Sequence, residues 1–334
     1  MRLYKKNTDE FLDVTLRPFR REDAAQLIAC IRDAYGESYV KPVLYTEEGV
    51  LGCVQSGKMI FAVAETEDGQ LAGITACERS DHFPGMAEIA CQVIRRSCSG
   101  YGLALPLASY TMEMAEALPL AAQYAKALGC HLISQKTLKG MGFTGCGFLL
   151  NVFDKEKFLH HFQNGSYAKI PQSVAVKGQN KKNAGQVWLP EELVSLAAEV
   201  YTQQGVSWEL QTQVSQFTGT DLWDEDDDRL HATLTLWARS CGEGFPDRLA
   251  ACVDAAAKRP GQTVNLYLNL SCPGSGAAYE AARQQGFFFT GFLPCCGDGE
   301  YMILHHPLQV PVLLDGIPFI PDYEPFMAQI RRYL

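Results

Sequence analysis

Two segments of this sequence carry the same pattern, and their repetition constrains the fold more than any other feature. Residues 139–150, KGMGFTGCGFLL, and residues 283–294, RQQGFFFTGFLP, each place Gly-Phe at the end of a helical pattern with a strand-like run directly after it. The order of the elements that lead to these segments is also similar in the two halves. We therefore expect an internal duplication at the level of the fold.

The length of the chain agrees with two domains. With 334 residues and 47% hydrophobic residues, the chain is longer than one typical domain and has the composition of a folded globular protein. The polar stretch QNKKNAGQ, residues 179–186, is the candidate linker. We predict an N-terminal domain over residues 1–180 and a C-terminal domain over residues 181–334.

Hydrophobic periodicity predicts alternating strands and helices. In the first half a strand near Val14 and two helices, the second started by Thr46, precede a hairpin around Asp68-Gly69. The strand AEIACQVI, residues 87–94, then leads into a glycine-containing loop and a helix over residues 103–117, followed by strand, helix and strand. The fold class is α/β, with a mixed β-sheet flanked by helices.

Composition excludes several classes of function. The net charge of -9 without any large basic cluster argues against nucleic acid as a partner. No apolar run reaches the roughly 18 residues that a membrane helix needs, and the first residues lack the apolar core of a secretory signal, so we expect a cytoplasmic protein. The 12 cysteines form no C-x-x-C pair, so we expect reduced thiols and no metal site.

The loop SGYGLA, residues 99–104, carries the strongest sign of ligand chemistry. A strand, a loop with glycine at alternate positions and a helix N-terminus together form an anion site, because backbone N–H groups and the helix dipole both favour negative charge. Position 105 is Leu, which rules out the dinucleotide fingerprint, and the G-K-S/T of phosphate-binding NTPase loops is absent.

This loop, together with the order of elements from Val14 to about Lys177, resembles the GNAT superfamily of N-acetyltransferases, whose loop is written R/Q-x-x-G-x-G/A. The resemblance implies acetyl-CoA as the co-substrate, held where two neighbouring parallel strands splay apart. It implies that the first splayed strand pairs with pantetheine, and that the loop receives the pyrophosphate. The residues concerned are Gln92, Val93 and Ile94 in the strand, and Cys98, Ser99, Gly100, Tyr101, Gly102, Leu103 and Ala104 in the loop. His131, before the next helix, either contacts CoA or caps that helix.

The catalytic assignments are less well specified, because two family side chains differ here. Ser99 stands in place of the usual Arg or Gln, and Leu138 falls where a general-acid Tyr is often found. Glu88, on the strand AEIACQVI, is the candidate general base, and an ion-paired surface residue is its alternative interpretation. Tyr124 and Tyr101 are candidates for the proton donor, with a packing role as the alternative.

The second half departs further from the family pattern. Its loop RSCGEGFP, residues 239–246, places Glu243 at the anion site and removes a backbone donor with Pro246, so we expect this copy to bind no CoA. The acidic run Asp224–Asp228 lacks the glycine and distal Glu of a calcium loop. We interpret the run as a solvated turn, or alternatively as an acidic rim that attracts a cationic acceptor.

These observations predict an N-acetyltransferase that transfers the acetyl group of acetyl-CoA to a small-molecule or peptide amine by direct attack. The alternative is a catalytically degenerate regulatory or CoA-sensing protein that acts through a protein partner. A protein partner or a homodimer is compatible with either function. Neither a membrane nor a metal ion is expected to take part.

Overall fold

A computed structural model describes residues 1–154, 168–179, 183–211, 216–217 and 219–334. The chain divides into two compact units, one formed by Met1–Asp81 with Met86–Ala125, the other by His82–Gly85 with Lys126–Leu334. Parallel and antiparallel strands combine with helices in both, which confirms the predicted mixed α/β class. The predicted boundary at residue 180 separates two copies of one fold, whereas the division seen here separates two compact units. The predicted boundary therefore stays a prediction.

The first unit is a sheet in the order β1-β2-β3-β4-β5-β6 with three helices. Its strands are β1 (Arg2–Tyr4), β2 (Phe11–Pro18), β3 (Met59–Thr66), β4 (Leu71–Arg79), β5 (Met86–Ile94) and the start of β6 (Ala122–Leu128), and its helices are α1 (Ala24–Tyr35), α2 (Glu47–Gln55) and α3 (Ala104–Glu116). All neighbouring strands are antiparallel except β5 and β6, which are parallel.

Local sequence explains most of this unit. The Thr46 side chain accepts a hydrogen bond from the Gly49 N–H at the start of α2, as expected for an N-cap residue. Gly69 has a φ of +79° in the turn between β3 and β4, a conformation that favours glycine. Helix α3 packs Leu107 against the strands of this sheet.

The second unit has a sheet in the order β8-β7-β14-β15-β13-β12-β11 and a separate parallel pair, β9 and β10. The strands are β7 (Thr144–Asp154), β8 (Lys169–Gly178), β9 (Asn183–Trp188), β10 (Ser207–Gln211), β11 (Leu222–Asp228), β12 (Thr233–Ser240), β13 (Thr263–Asn269), β14 (Phe288–Leu293) and β15 (Tyr301–His306). The helices are α4 (Ile133–Gly140), α5 (Val194–Gln204), α6 (Phe245–Ala257), α7 (Ser275–Gln284) and α8 (Glu324–Arg331).

The connectivity of the first half recurs in the second. The run β5-α3-β6-α4-β7-β8 has the same element types as β12-α6-β13-α7-β14-β15, and each run begins with a parallel strand pair and ends with an antiparallel one. Gly142 and Gly286, just past α4 and α7, have φ values of +83° and +95°. The repeated Gly-Phe therefore marks the same helix-ending conformation twice, which supports the predicted duplication.

Two sequence expectations were wrong. The acidic run Asp224–Asp228 is no solvated turn, since it lies in β11 at the end of the strand order. There Asp224 pairs with Arg239 and Asp227 with Arg259, and charged side chains protect an edge strand from further pairing. The candidate linker is also partly strand, because residues 183–186 belong to β9; residues 180–182 lie outside the described ranges.

Two further properties hold over the part of the chain that the structure describes. None of its helices combines the length and apolar character needed to cross a bilayer. Its His, Cys, Asp and Glu side chains nowhere form a group of three or more suited to a metal ion.

Candidate functional site

The parallel strands β5 and β6 are paired over only three residue pairs, from Met86 with Ala122 to Glu88 with Tyr124. Strand β5 continues for six more residues to Ile94. At about 3.3 Å per residue, roughly 20 Å of this edge of β5 extends beyond the last pair. A strand edge carries N–H and C=O groups that need partners, so it can accept an extended ligand.

A β-bulge at Cys91 lies just past the last pair. The register of β5 against β4 shifts by one residue between Ile74 and Ala76, and Cys91 has a φ of +53°. Bulges bend a strand and increase its twist, which gives a physical reason for β5 to end its pairing with β6 here. Gln92 follows the bulge, and its side-chain amide donates to the Ala104 carbonyl at 2.7 Å, so it ties this strand to the start of α3.

The predicted loop leads from β5 to α3 through a short 3-10 turn at Arg96–Cys98. Gly100 and Gly102 have φ values of +89° and +76°, and space around the Gly102 Cα is open. The first turn of α3 contains no acidic residue, while the first N–H groups of any helix lack intrahelical partners. The loop and helix therefore present donors and a positive dipole end to an anion.

Side chains around the loop are held by the N-terminal hairpin. The Tyr101 hydroxyl donates to Glu10 at 3.1 Å, and Glu10 is also bound by Lys5 at 2.8 Å. This contact favours a structural role for Tyr101 over proton donation. Cys98 is buried with Leu103 in the core beneath the loop, so it takes part in the site through its backbone, while Ser99 is exposed.

The two catalytic candidates are adjacent. Glu88 and Tyr124 form the last pair of the β5–β6 ladder, and both are half-buried. On the other side of β5, Glu88 is the direct register partner of Glu78. The ammonium of Lys41 lies 2.6 Å from Glu78 and also interacts electrostatically with Glu88. These charged neighbours favour the ion-paired interpretation of Glu88, and its role as a general base stays a prediction.

His131 directly precedes α4. This residue lies in the second unit, next to the N-cap residue Leu132, and its role as a helix cap stays a prediction. Burial lowers the pKa of His131 and favours its neutral form. A contact between His131 and CoA stays a prediction. Leu138 is buried in α4.

The equivalent place in the second repeat is closed. Strands β12 and β13 pair over six residue pairs, from Thr233 with Thr263 to Ala238 with Leu268. In the loop after β12, the Gly242 N–H donates to the Asp221 carboxylate at 2.6 Å. The other Asp221 oxygen lies 2.6 Å from the position that a Cβ of Gly244 would take. A carboxylate of the chain itself thus occupies the place of an anionic ligand.

Sequence reasoning missed Lys41, Glu78 and Asp221. Lys41 lies 37 residues from Glu78, and Asp221 lies 21 residues from Gly242. Each contact is made between separate elements, so no local pattern indicates it. The Lys41-Pro42 dipeptide predicts only an extended residue before proline.

Half of this chain is similar to solved acetyltransferase structures. YncA from Salmonella typhimurium, solved with its cofactor acetyl-CoA, is 15% identical with a TM-score of 0.41, over 51% of this chain and 95% of that one. A spermidine N-acetyltransferase SpeG variant from Vibrio cholerae is 17% identical with a TM-score of 0.40, over 50% and 94%. A GNAT-family protein from Desulfovibrio desulfuricans is 14% identical with a TM-score of 0.39, over 50% and 100%. No protein-family profile matches the sequence, and no curated protein matches it.

Proposed function

We propose that the N-terminal part of this chain binds acetyl-CoA and transfers the acetyl group to a primary amine. One observation carries the proposal: the edge of β5 beyond Glu88 runs directly into the Gly100–Gly102 loop at the start of α3. A strand edge that continues into an anion site suits a ligand with an extended amide-containing chain and a phosphate group at one end.

The residues present fit the proposed co-substrate. The amides of pantetheine can pair with the backbone of β5 as an added strand does, and the loop N–H groups suit the pyrophosphate. Gly102 has no side chain and the space beside its Cα is open, so phosphate groups can approach the backbone there. Ser99 offers no guanidinium for a charge-assisted bond, so phosphate binding rests on the backbone.

When bound, acetyl-CoA supplies an acetyl group activated as a thioester. We assign Glu88, directly or through a water, to accept the proton of the attacking amine. In the transfer, the C–N bond to the amine forms and the C–S bond of the thioester breaks. Tyr124, which is paired with Glu88 in the sheet, donates its phenolic proton to the departing thiolate. No cysteine is needed as a nucleophile in this direct attack.

A regulatory, CoA-binding protein without turnover is the second candidate. It is favoured by Leu138, which is buried where the resemblance predicts a proton-donating Tyr, and by the closed loop of the second repeat. This candidate keeps the same binding site on β5 and the loop, and differs only in the fate of the ligand.

Calorimetric titration of the full chain with acetyl-CoA, followed by measurement of free thiol over a panel of amines, distinguishes these possibilities. We expect saturable binding and amine-dependent thiol release. Binding without release for any amine supports the regulatory candidate. Absence of binding contradicts both.

A further inference from the structure

Two carboxylates face each other across β4 and β5. Glu78 and Glu88 are direct register partners, an arrangement in which like charges destabilise a sheet. The Lys41 ammonium relieves this repulsion, since it lies 2.6 Å from Glu78 and interacts with Glu88. Burial would lower the pKa of Lys41, but the carboxylates of Glu88 and Glu78 outweigh burial and raise it, so Lys41 remains an ammonium.

The segment that carries Lys41 is fixed by aromatic side chains. The Tyr45 hydroxyl donates to the Gly36 carbonyl at 2.7 Å and accepts from the Tyr39 N–H at 2.8 Å. The Tyr39 ring contacts the Tyr35 ring at 4.9 Å between centroids. Lys41 therefore approaches the carboxylate pair from a pre-organised loop rather than from a freely rotating surface position.

Lys41 is the cation closest to the carboxylate pair. Lys58 lies 3.9 Å from Glu78 but only 2.6 Å from Asp81, whose side chain is 74% exposed. Lys58 is therefore held mainly by Asp81, and Lys41 supplies the close positive charge beside Glu78 and Glu88. A second cationic group on an incoming acceptor would meet Lys41, whose side chain is 27% exposed, at the carboxylates that could otherwise bind it.

We propose that Lys41 is a specificity-determining residue, whose ammonium occupies the Glu78–Glu88 pair and so selects against acceptors that carry a second cationic group. This inference rests on the proposed acetyl transfer beside Glu88. The acceptor class it favours is a monoamine without further positive charge, such as the terminal amine of a neutral peptide.

The test compares cadaverine, a diamine, with n-pentylamine, which has the same carbon chain and one amine. The readout is kcat/KM for thiol release with acetyl-CoA. In Lys41→Met, which keeps the apolar stem, we expect the ratio of cadaverine to n-pentylamine activity to rise by about tenfold, the order expected for one charge contact between half-buried groups. Lys41→Arg and the control Lys58→Met should keep the wild-type ratio.

A ratio that does not change in Lys41→Met overturns the proposal. If no variant turns over, titration calorimetry with cadaverine alone decides: binding to Lys41→Met at least about tenfold tighter than to the wild type supports the inference, and equal binding refutes it. Failure of the proposed function is a separate result, because it appears as absence of acetyl-CoA binding to the wild-type chain.

Discussion

Gly147 and Gly291, which occupy the same position in the two Gly-Phe repeats, are direct register partners across β7 and β14. Two equivalent residues paired across antiparallel strands are the geometry of a two-fold contact, in which the same surface is used twice. The backbones approach closely, because a Cβ on Gly291 would lie 2.6 Å from the Cys146 carbonyl oxygen and 2.8 Å from the Gly147 Cα. The contact between β7 and β14 therefore has a local two-fold character.

Substitution Gly291→Ala should destabilise the protein by about 2 kcal/mol or more, because the added methyl meets backbone atoms that cannot move aside. Urea unfolding followed by far-UV circular dichroism measures the change. Gly140→Ala is the matched control, since a Cβ there has no neighbour within 4 Å. Equal stabilities of the two variants would contradict the close contact.

The sequence predicted those parts of the fold that local patterns specify. The Thr46 cap, the turn at Gly69 and the helix after the SGYGLA loop all depend on residues within a few positions of one another. The bulge at Cys91 was not predictable, since a positive φ usually indicates glycine or asparagine. The short three-pair ladder of β5 and β6 was not predictable either, because it depends on tertiary packing.

The acidic run shows how tertiary pairing overrides propensity. Five consecutive acids are poor strand formers, and the sequence pattern favoured a turn. Arg239 on β12 and Arg259 after α6 supply the positive charges that allow β11 to form. Within the candidate site, the loop was predictable from its glycines, whereas Lys41 and Glu78 were not, because they meet through long-range contacts.

Gly100→Glu should weaken acetyl-CoA binding by about 100-fold or more, because a carboxylate would face the phosphates. The control is Gly69→Glu, which introduces the same charge at another glycine of positive φ, in an exposed turn with open space. A loss of acetyl-CoA affinity that is caused by backbone strain alone should appear in both variants. Calorimetry measures the affinities, and unchanged binding to Gly100→Glu would refute the placement of the site.

The wild-type chain should bind one acetyl-CoA. In the second repeat, Asp221 already accepts from the Gly242 N–H, and β12 is paired with β13 over six residue pairs. Asp221→Ala removes the carboxylate but leaves the strands paired, so we expect its stoichiometry to remain at one. A second equivalent bound by either protein in calorimetry would show that the second repeat is open.

Glu88→Gln should lower kcat by roughly 100-fold or more with little change in acetyl-CoA affinity, since the amide cannot accept the proton of the amine. Glu78→Gln is an informative comparison, because it also removes one charge from the carboxylate pair while leaving the proposed base. Tyr124→Phe should lower kcat less. Equal effects of Glu88→Gln and Glu78→Gln on kcat would indicate that both glutamates act only through charge.

His305 should make the stability of the protein fall in mild acid. Its imidazole is fully buried on β15 beside Asn265, with 2.9 Å between Nδ1 and Oδ1. Burial, with smaller contributions from His306 and Lys169, lowers the pKa of His305 to about 3, whereas an unfolded histidine titrates near about 6.5. At pH values between these two pKa values, the unfolded chain binds a proton at this histidine and the folded chain does not. The stability of the protein therefore decreases as the pH falls.

Between about pH 7.5 and pH 5.5 this difference amounts to about 1.4 kcal/mol for one histidine. Burial also lowers the pKa of His131 and His306, so these two add losses of the same sign. The decisive measurement is therefore a comparison: urea unfolding of the wild type and of His305→Gln at both pH values. The variant loses the contribution of the Asn265 contact equally at both pH values. Between about pH 7.5 and pH 5.5, its free energy of unfolding should therefore fall by about 1.4 kcal/mol less than that of the wild type. Parallel pH profiles would show that His305 accepts a proton in the folded protein.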